Sequence, residues 1–152
     1  MSMHVVRLGS PRVPGEGLRL GTVRRPPRGV AKADFARLDY YDLWLPTLAP
    51  SATLLAESRA AGGVARDWPR FSRHFLAAMK QPDAAHLLNL LAALSHRTDF
   101  SVGCYCADEN FCHRSLLAQL LRERGAFSAS PAPGAIDPQT GQGSPSGRRR
   151  AD

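Results

Sequence analysis

The stretch from Phe100 to Arg124 constrains the fold more than any other part of the chain. "FSVGCYC" is short, apolar and bounded by Asp99 and Asp108, which predicts a strand. "CHRSLLAQLLRER" follows, with Leu116, Leu117, Leu120 and Leu121 at helical spacing and a stop at Gly125. A strand that passes through a short loop into an amphipathic helix is a unit of layered α/β folds.

The remaining segments extend that pattern. "HVVRL" (residues 4–8) and "LRLGTVR" (residues 18–24) predict two N-terminal strands, each next to turn-forming Gly or Pro. Helices are expected from Ser51 as cap to about Arg59, from Asp67 through "WPRFSRHFLAAMK", and from Asp83 through "AAHLLNLLAALSHR". Leu87, Leu90, Leu91 and Leu94 form the expected core stripe of the third helix. The expected architecture is α/β: a single compact layered domain with a mixed, mostly parallel sheet flanked by helices. It spans residues 1–127, and the Ser/Pro/Gly-rich residues 128–152 are expected to be a disordered tail.

Composition removes several classes. No stretch approaches ~20 uninterrupted apolar residues, so no membrane span is expected, and the N-terminus lacks the apolar core of a secretory signal. Three cysteines, crowded into twelve residues, do not make a spread disulfide framework. A cytoplasmic location with free, ligating or catalytic thiols is the expectation. Twenty Lys and Arg against thirteen Asp and Glu leave a formal charge of +7, which favours anionic partners: an anionic small molecule, a nucleotide or nucleic acid.

The cysteines sit in "CYCADENFCHRS" (residues 104–115). Cys104 and Cys106, two apart on a strand, share a face. Cys112 opens the last helix, where unpaired amides and the dipole favour a thiolate. Arg114 adds a fork for carboxylate or phosphate, and His113 a base or ligand. Two chemistries compete. In one, Cys112 or Cys106 is a nucleophile, with His113 and Arg114 completing the catalytic group and Ser115 assisting ligand binding. In the other, Cys104, Cys106 and Cys112 hold zinc or iron, with His113 the weakest further ligand because it projects away from Cys112. Taken alone, either Cys104 or Cys106 reads first as a small buried hydrophobe of a central strand, whereas the cluster with His113 and Arg114 at a helix start favours a site.

A second constellation, "GTVRRPPRGV", places Arg24, Arg25 and Arg28 in a proline-stiffened loop after a strand, where they could clamp an anion or form a solvated basic loop. Asp39 and Asp42 follow and could orient these arginines. "RLGTVRRPPRGV", "WLPTLAPS", "WPRFSRHF" and "CYC-x5-CHRSLL" together resemble the DUF488 family of small bacterial proteins, over Val5 to about Ala126. The resemblance implies a compact α/β fold with the cysteine strand in the sheet, and it brings no established reaction. The functional expectation is a small cytoplasmic protein that binds or acts on an anionic small molecule such as a nucleotide. In it, Arg24, Arg25, Arg28 and Arg114 face the anion. The alternative is a zinc- or iron-stabilised nucleic-acid-binding module.

Overall fold

The computed structural model describes residues 1–129. Four strands, β1 (Met3–Arg7), β2 (Leu18–Gly21), β3 (Leu43–Trp44) and β4 (Phe100–Cys104), form one sheet in the order β1-β4-β2-β3. Four helices accompany it: α1 (Ala52–Ala60), α2 (Trp68–Ala78), α3 (Pro82–Leu94) and α4 (His113–Glu123). The chain is therefore the expected single α/β domain, and its named strands pair in parallel throughout.

β4 sits between β1 and β2, and all five of its residues are buried. That position explains why its sequence is continuously small or apolar instead of alternating. Met3 to Arg7 align with Phe100 to Cys104 on one side, and Leu18 to Gly21 with Phe100 to Gly103 on the other. Gly21 and Gly103 are register partners, and neither has room for a side chain. A Cβ on Gly21 would come within 2.4 Å of the Tyr41 ring, and one on Gly103 within 2.4 Å of a Leu8 methyl. Tyr41 and Leu8 thus lie flat on the sheet where its central strands end.

The main core lies between sheet and helices and is built on Met3, Leu48, Phe75, Leu88, Val102 and Leu117, all fully buried. A smaller cluster joins Leu8, Val23, Tyr41, Cys104 and Cys112. Leu8 and Val23 lie just beyond β1 and β2, and Cys104 closes β4. This second cluster therefore marks the carboxyl ends of the parallel strands.

Several local expectations change. α1 begins as expected, with the Ser51 hydroxyl accepting from the Leu54 amide at 3.0 Å. α3 starts at Pro82 with Gln81 at its cap, so Asp83 falls in the first turn. Its buried face is Ala84, Leu88, Leu91 and Ala92, while Leu90 and Leu94 face outward. Leucines at 87, 88, 90, 91 and 94 satisfy the helical period along more than one stripe, and α4 and the turn at Pro46–Leu48 select which is covered. Asp42 accepts from Arg12 and from the Arg19 amide instead of orienting the Arg24–Arg28 loop. Arg19 is fully buried, with its guanidinium on Glu16 at 2.6 Å and on the carbonyls of Ser10 and Asp39. The sheet edge at β1 is extended by the residues after α4. Met3 donates to the Phe127 carbonyl, and the Ala129 amide donates back to Met3. Ser128 and Ala129, the start of the expected tail, therefore pair with the sheet; residues 130–152 lie outside the described residues. Among the described residues no helix is long and apolar enough to cross a membrane.

Candidate functional site

A cavity of about 600 Å³ opens beyond the carboxyl ends of β2 and β4. This is the edge at which open parallel sheets present ligand sites. One wall is the loop after β2, Arg24 to Arg28; the opposite wall is the turn after β4, Cys104 to Cys106, closed by Phe111, Cys112 and His113. The two constellations seen in the sequence therefore meet. They are also tied directly, because the Tyr105 hydroxyl donates to the Arg25 carbonyl at 2.9 Å. Apolar and aromatic groups, among them Val23, Tyr40, Leu55 and Phe71, complete the lining.

The three sulfurs lie within 4.8 Å of one another, close enough that the cluster could hold a metal ion. The strand expected to run to Cys106 ends at Cys104, and Cys106 follows in the turn; the turn and not strand alternation brings their Sγ atoms to 3.7 Å. Cys112 occupies the N-cap of α4, as expected, and joins them from across the turn. The three differ in environment. Cys104 and Cys112 are buried, whereas Cys106 is exposed to the cavity mouth. Cys106 accepts hydrogen bonds from the Cys104 and Cys112 thiols, which pull its own thiol strongly downward against the effect of burial; His113 and Arg114 nearby add to this. The donors shift the other way. Cys104 is raised to about 11, chiefly by its bond to Cys106. Cys112 is raised by its bonds to both neighbours and by burial. Of the three, Cys106 is the thiol that these contacts shift toward the thiolate.

His113 is buried, and its Nε2 donates to the Thr22 carbonyl at 2.5 Å. Burial lowers the imidazole to about 4 despite that bond, so at neutral pH it is uncharged with Nδ1 unprotonated. Nδ1 lies 3.9 Å from the Cys112 sulfur. Arg114 is also buried. Its Nη1 donates to the carbonyls of Cys106 at 2.6 Å and Cys104 at 3.3 Å, so its guanidinium clamps the cysteine turn from behind the cavity wall. Ser115 donates to the Cys112 carbonyl at 2.8 Å and likewise stands behind the wall.

The arginine loop divides in the same way. Arg24 donates through Nε to Pro50 and through Nη2 to Pro46 and Ala49, fastening the loop to the segment that leads into α1. Arg25 and Arg28 are exposed on the cavity wall, and among the described residues their side chains have neither an ion-pair nor a hydrogen-bond partner. Arg59 of α1 lines the same cavity. No local motif marks Arg59, which sits on an exposed helix face until the tertiary fold turns it toward the site. Tyr40 and Tyr105 were equally unmarked, although each forms part of the lining and their rings meet edge-on at 6.3 Å.

A family model described as "DUF488-N3a: Active DUF488-N3 subclade" matches residues 3–125 of the chain. No curated protein and no solved structure matches it.

Proposed function

We propose that this chain, which belongs to the DUF488 family, binds and acts on an anionic small molecule such as a nucleotide in the cavity lined by the arginine loop and the cysteine turn. The observation that carries this reading is the convergence, on the lining of one open cavity, of the cysteine turn with Arg25 and Arg28, whose side chains have no partner among the described residues. A volume of about 600 Å³ falls within the range of small-molecule sites, and an apolar lining with a few charged groups is their usual character. Arg25, Arg28 and Arg59 would take the anionic groups, as guanidinium forks suit phosphate and carboxylate. Cys106 would be the nucleophile or ligating atom, with Cys104 and Cys112 as its hydrogen-bond donors. Arg24, Arg114, His113 and Ser115 would act through the backbone they hold. A cytoplasmic setting, where thiols stay reduced, belongs to the same proposal.

The direct test is the thermal stability of the full chain across a series of inorganic phosphate, nucleoside monophosphates and nucleoside triphosphates. A saturable stabilisation is expected from at least one, weakened roughly tenfold or more by Arg25→Glu or Arg28→Glu, since a charge-assisted bond contributes about 1.5–3 kcal/mol. No stabilisation by any of them, or equal stabilisation of both variants, would remove the anion-binding role.

A second reading is favoured by the close approach of the three sulfurs: zinc or iron held at Cys104, Cys106 and Cys112 as the staple of a nucleic-acid-binding module. It requires an affinity for DNA or RNA that falls steeply with added salt. Binding that is absent or insensitive to salt excludes it.

A further inference from the structure

We propose that Cys104, Cys106 and Cys112 form an open zinc site, whose fourth position faces the cavity and is taken by water or by an oxygen of the bound anion. The identity of that fourth ligand rests on the anion-binding role proposed for the cavity. Thiolates about 2.3 Å from one tetrahedral zinc stand about 3.8 Å apart. Cys104 and Cys106 already stand at 3.7 Å, and all three sulfurs lie within 4.8 Å. Binding therefore needs only a small contraction toward a common centre. The ligands are also held by rigid elements. Cys104 ends the central strand, Cys112 caps α4, and Arg114 grips the carbonyls of both Cys104 and Cys106.

The donor set selects the metal and the type of site. Three thiolates favour a soft ion such as zinc over magnesium or calcium. Structural zinc sites are closed by four protein ligands, whereas sites that handle a ligand present three and leave one vertex open. Among the described residues no histidine, aspartate, glutamate or further cysteine joins the three. His113 Nδ1, which the Nε2 bond to the Thr22 carbonyl leaves unprotonated, lies 3.9 Å from the Cys112 sulfur but is not among the ligand atoms that lie within 4.8 Å of one another. All three cysteines border the cavity that also contains Arg25 and Arg28. Zinc with three thiolates carries one net negative charge, and the N-terminus of α4 together with buried Arg114 offsets it from behind. An anion entering from the cavity side would meet metal and arginines together.

The test uses the full chain, reduced, loaded with zinc, dialysed and measured by elemental analysis. About one zinc per chain is expected, as a single tetrahedral site requires. Cys106→Ser and Cys112→Ser should each lose it while circular dichroism reports whether they remain folded. Should either variant unfold, cobalt(II) in the wild-type chain decides: a tetrahedral thiolate spectrum is expected, and it should change on adding inorganic phosphate. Absence of both zinc and cobalt uptake overturns the site. A cobalt spectrum unmoved by phosphate, in protein that phosphate stabilises thermally, overturns the anion as fourth ligand. Phosphate binding by metal-free protein that takes up no zinc sinks the metal inference alone. Zinc uptake without any anion binding sinks the cavity's proposed role, and with it the assigned fourth ligand.

Discussion

Cys106 and Cys112 are six residues apart and have opposite environments. Cys112 looks the more activated from sequence, because a helix start favours a thiolate. In the fold it is 1% exposed and its thiol is raised by its sulfur neighbours and by burial, whereas the thiol of Cys106, on the cavity lining, is lowered. The closeness of Cys104 and Cys106 was expected from strand period, but the strand ends at Cys104 and the turn at Tyr105 is what sets it. The burial of Cys112 was not legible, because it depends on Leu8, Val23 and Tyr41, which come from distant parts of the chain. Alkylation of metal-free protein should therefore modify Cys106 first, on the order of tenfold or more faster than Cys112, with little dependence on pH between 6 and 8 because the thiolate is already formed. Peptide mapping after brief iodoacetamide treatment reads this directly. Modification of Cys112 first would show that the helix dipole outweighs its burial. Arg114 and Arg24 carry a parallel lesson. Both were expected to face an anion, and both turn their guanidinium groups on backbone carbonyls, a choice no local pattern reveals.

At the scale of elements, what reads well is what has strong punctuation. β4, the Ser51 cap of α1, and the Cys112-to-Gly125 limits of α4 are marked by polar or glycine boundaries around an apolar run. β3 was missed because it is two residues long and its Leu43 and Trp44 are both exposed, so it shows no burial pattern. The α3 stripe was misplaced because five leucines offer more than one face. Sheet closeness is a further property of pairing and not of local sequence: Gly21 opposite Gly103 lets Tyr41 and Leu8 cover the strand ends. Gly21→Ala should destabilise the protein by about 1–3 kcal/mol, the usual cost of overpacking. It should also displace Tyr41, a neighbour of Cys104 and Cys112 in the smaller core. Urea denaturation gives the first effect and near-ultraviolet dichroism the second. An unchanged midpoint would mean that Tyr41 moves aside at no cost.

For the molecule as a whole, the α/β class follows from the order of strand and helix signals, whereas the cavity comes from two segments about eighty residues apart and was open until the fold joined them. Elsewhere the fold contains a buried ion pair, Glu16 with Arg19. Burial acts to raise the Glu16 carboxyl, but Arg19 and the Val13 amide outweigh it and hold it below its ordinary value. Asp42 is lowered in the same way by Arg12 and the Arg19 amide, again against burial. Folded-state values below the unfolded ones mean that these groups stabilise the fold fully above pH 4.5, and that their contribution is lost as pH falls through the depressed values. Stability should accordingly drop with acid below that point. Glu16→Gln should cost about 3 kcal/mol or more at pH 7, because it leaves Arg19 buried without its counter-ion, and should flatten the acid dependence. Denaturant midpoints from pH 3 to 7 for both proteins check the sign, and parallel curves would show that Glu16 does not govern it.

The parallel register that sets Met3 beside Phe100, and Leu18 beside the same residue, has a kinetic consequence. The central strand cannot find either neighbour until nearly a hundred residues have been synthesised and the intervening loops closed, so contact order is high and folding correspondingly slow. Until that closure is complete the three thiols have no enclosing walls, and a nascent or refolding chain presents them as ordinary cysteines, open to oxidants and to stray metal. The clustering of the three thiols thus depends on pairings between distant parts of the chain and is not a property of the 104–112 segment alone.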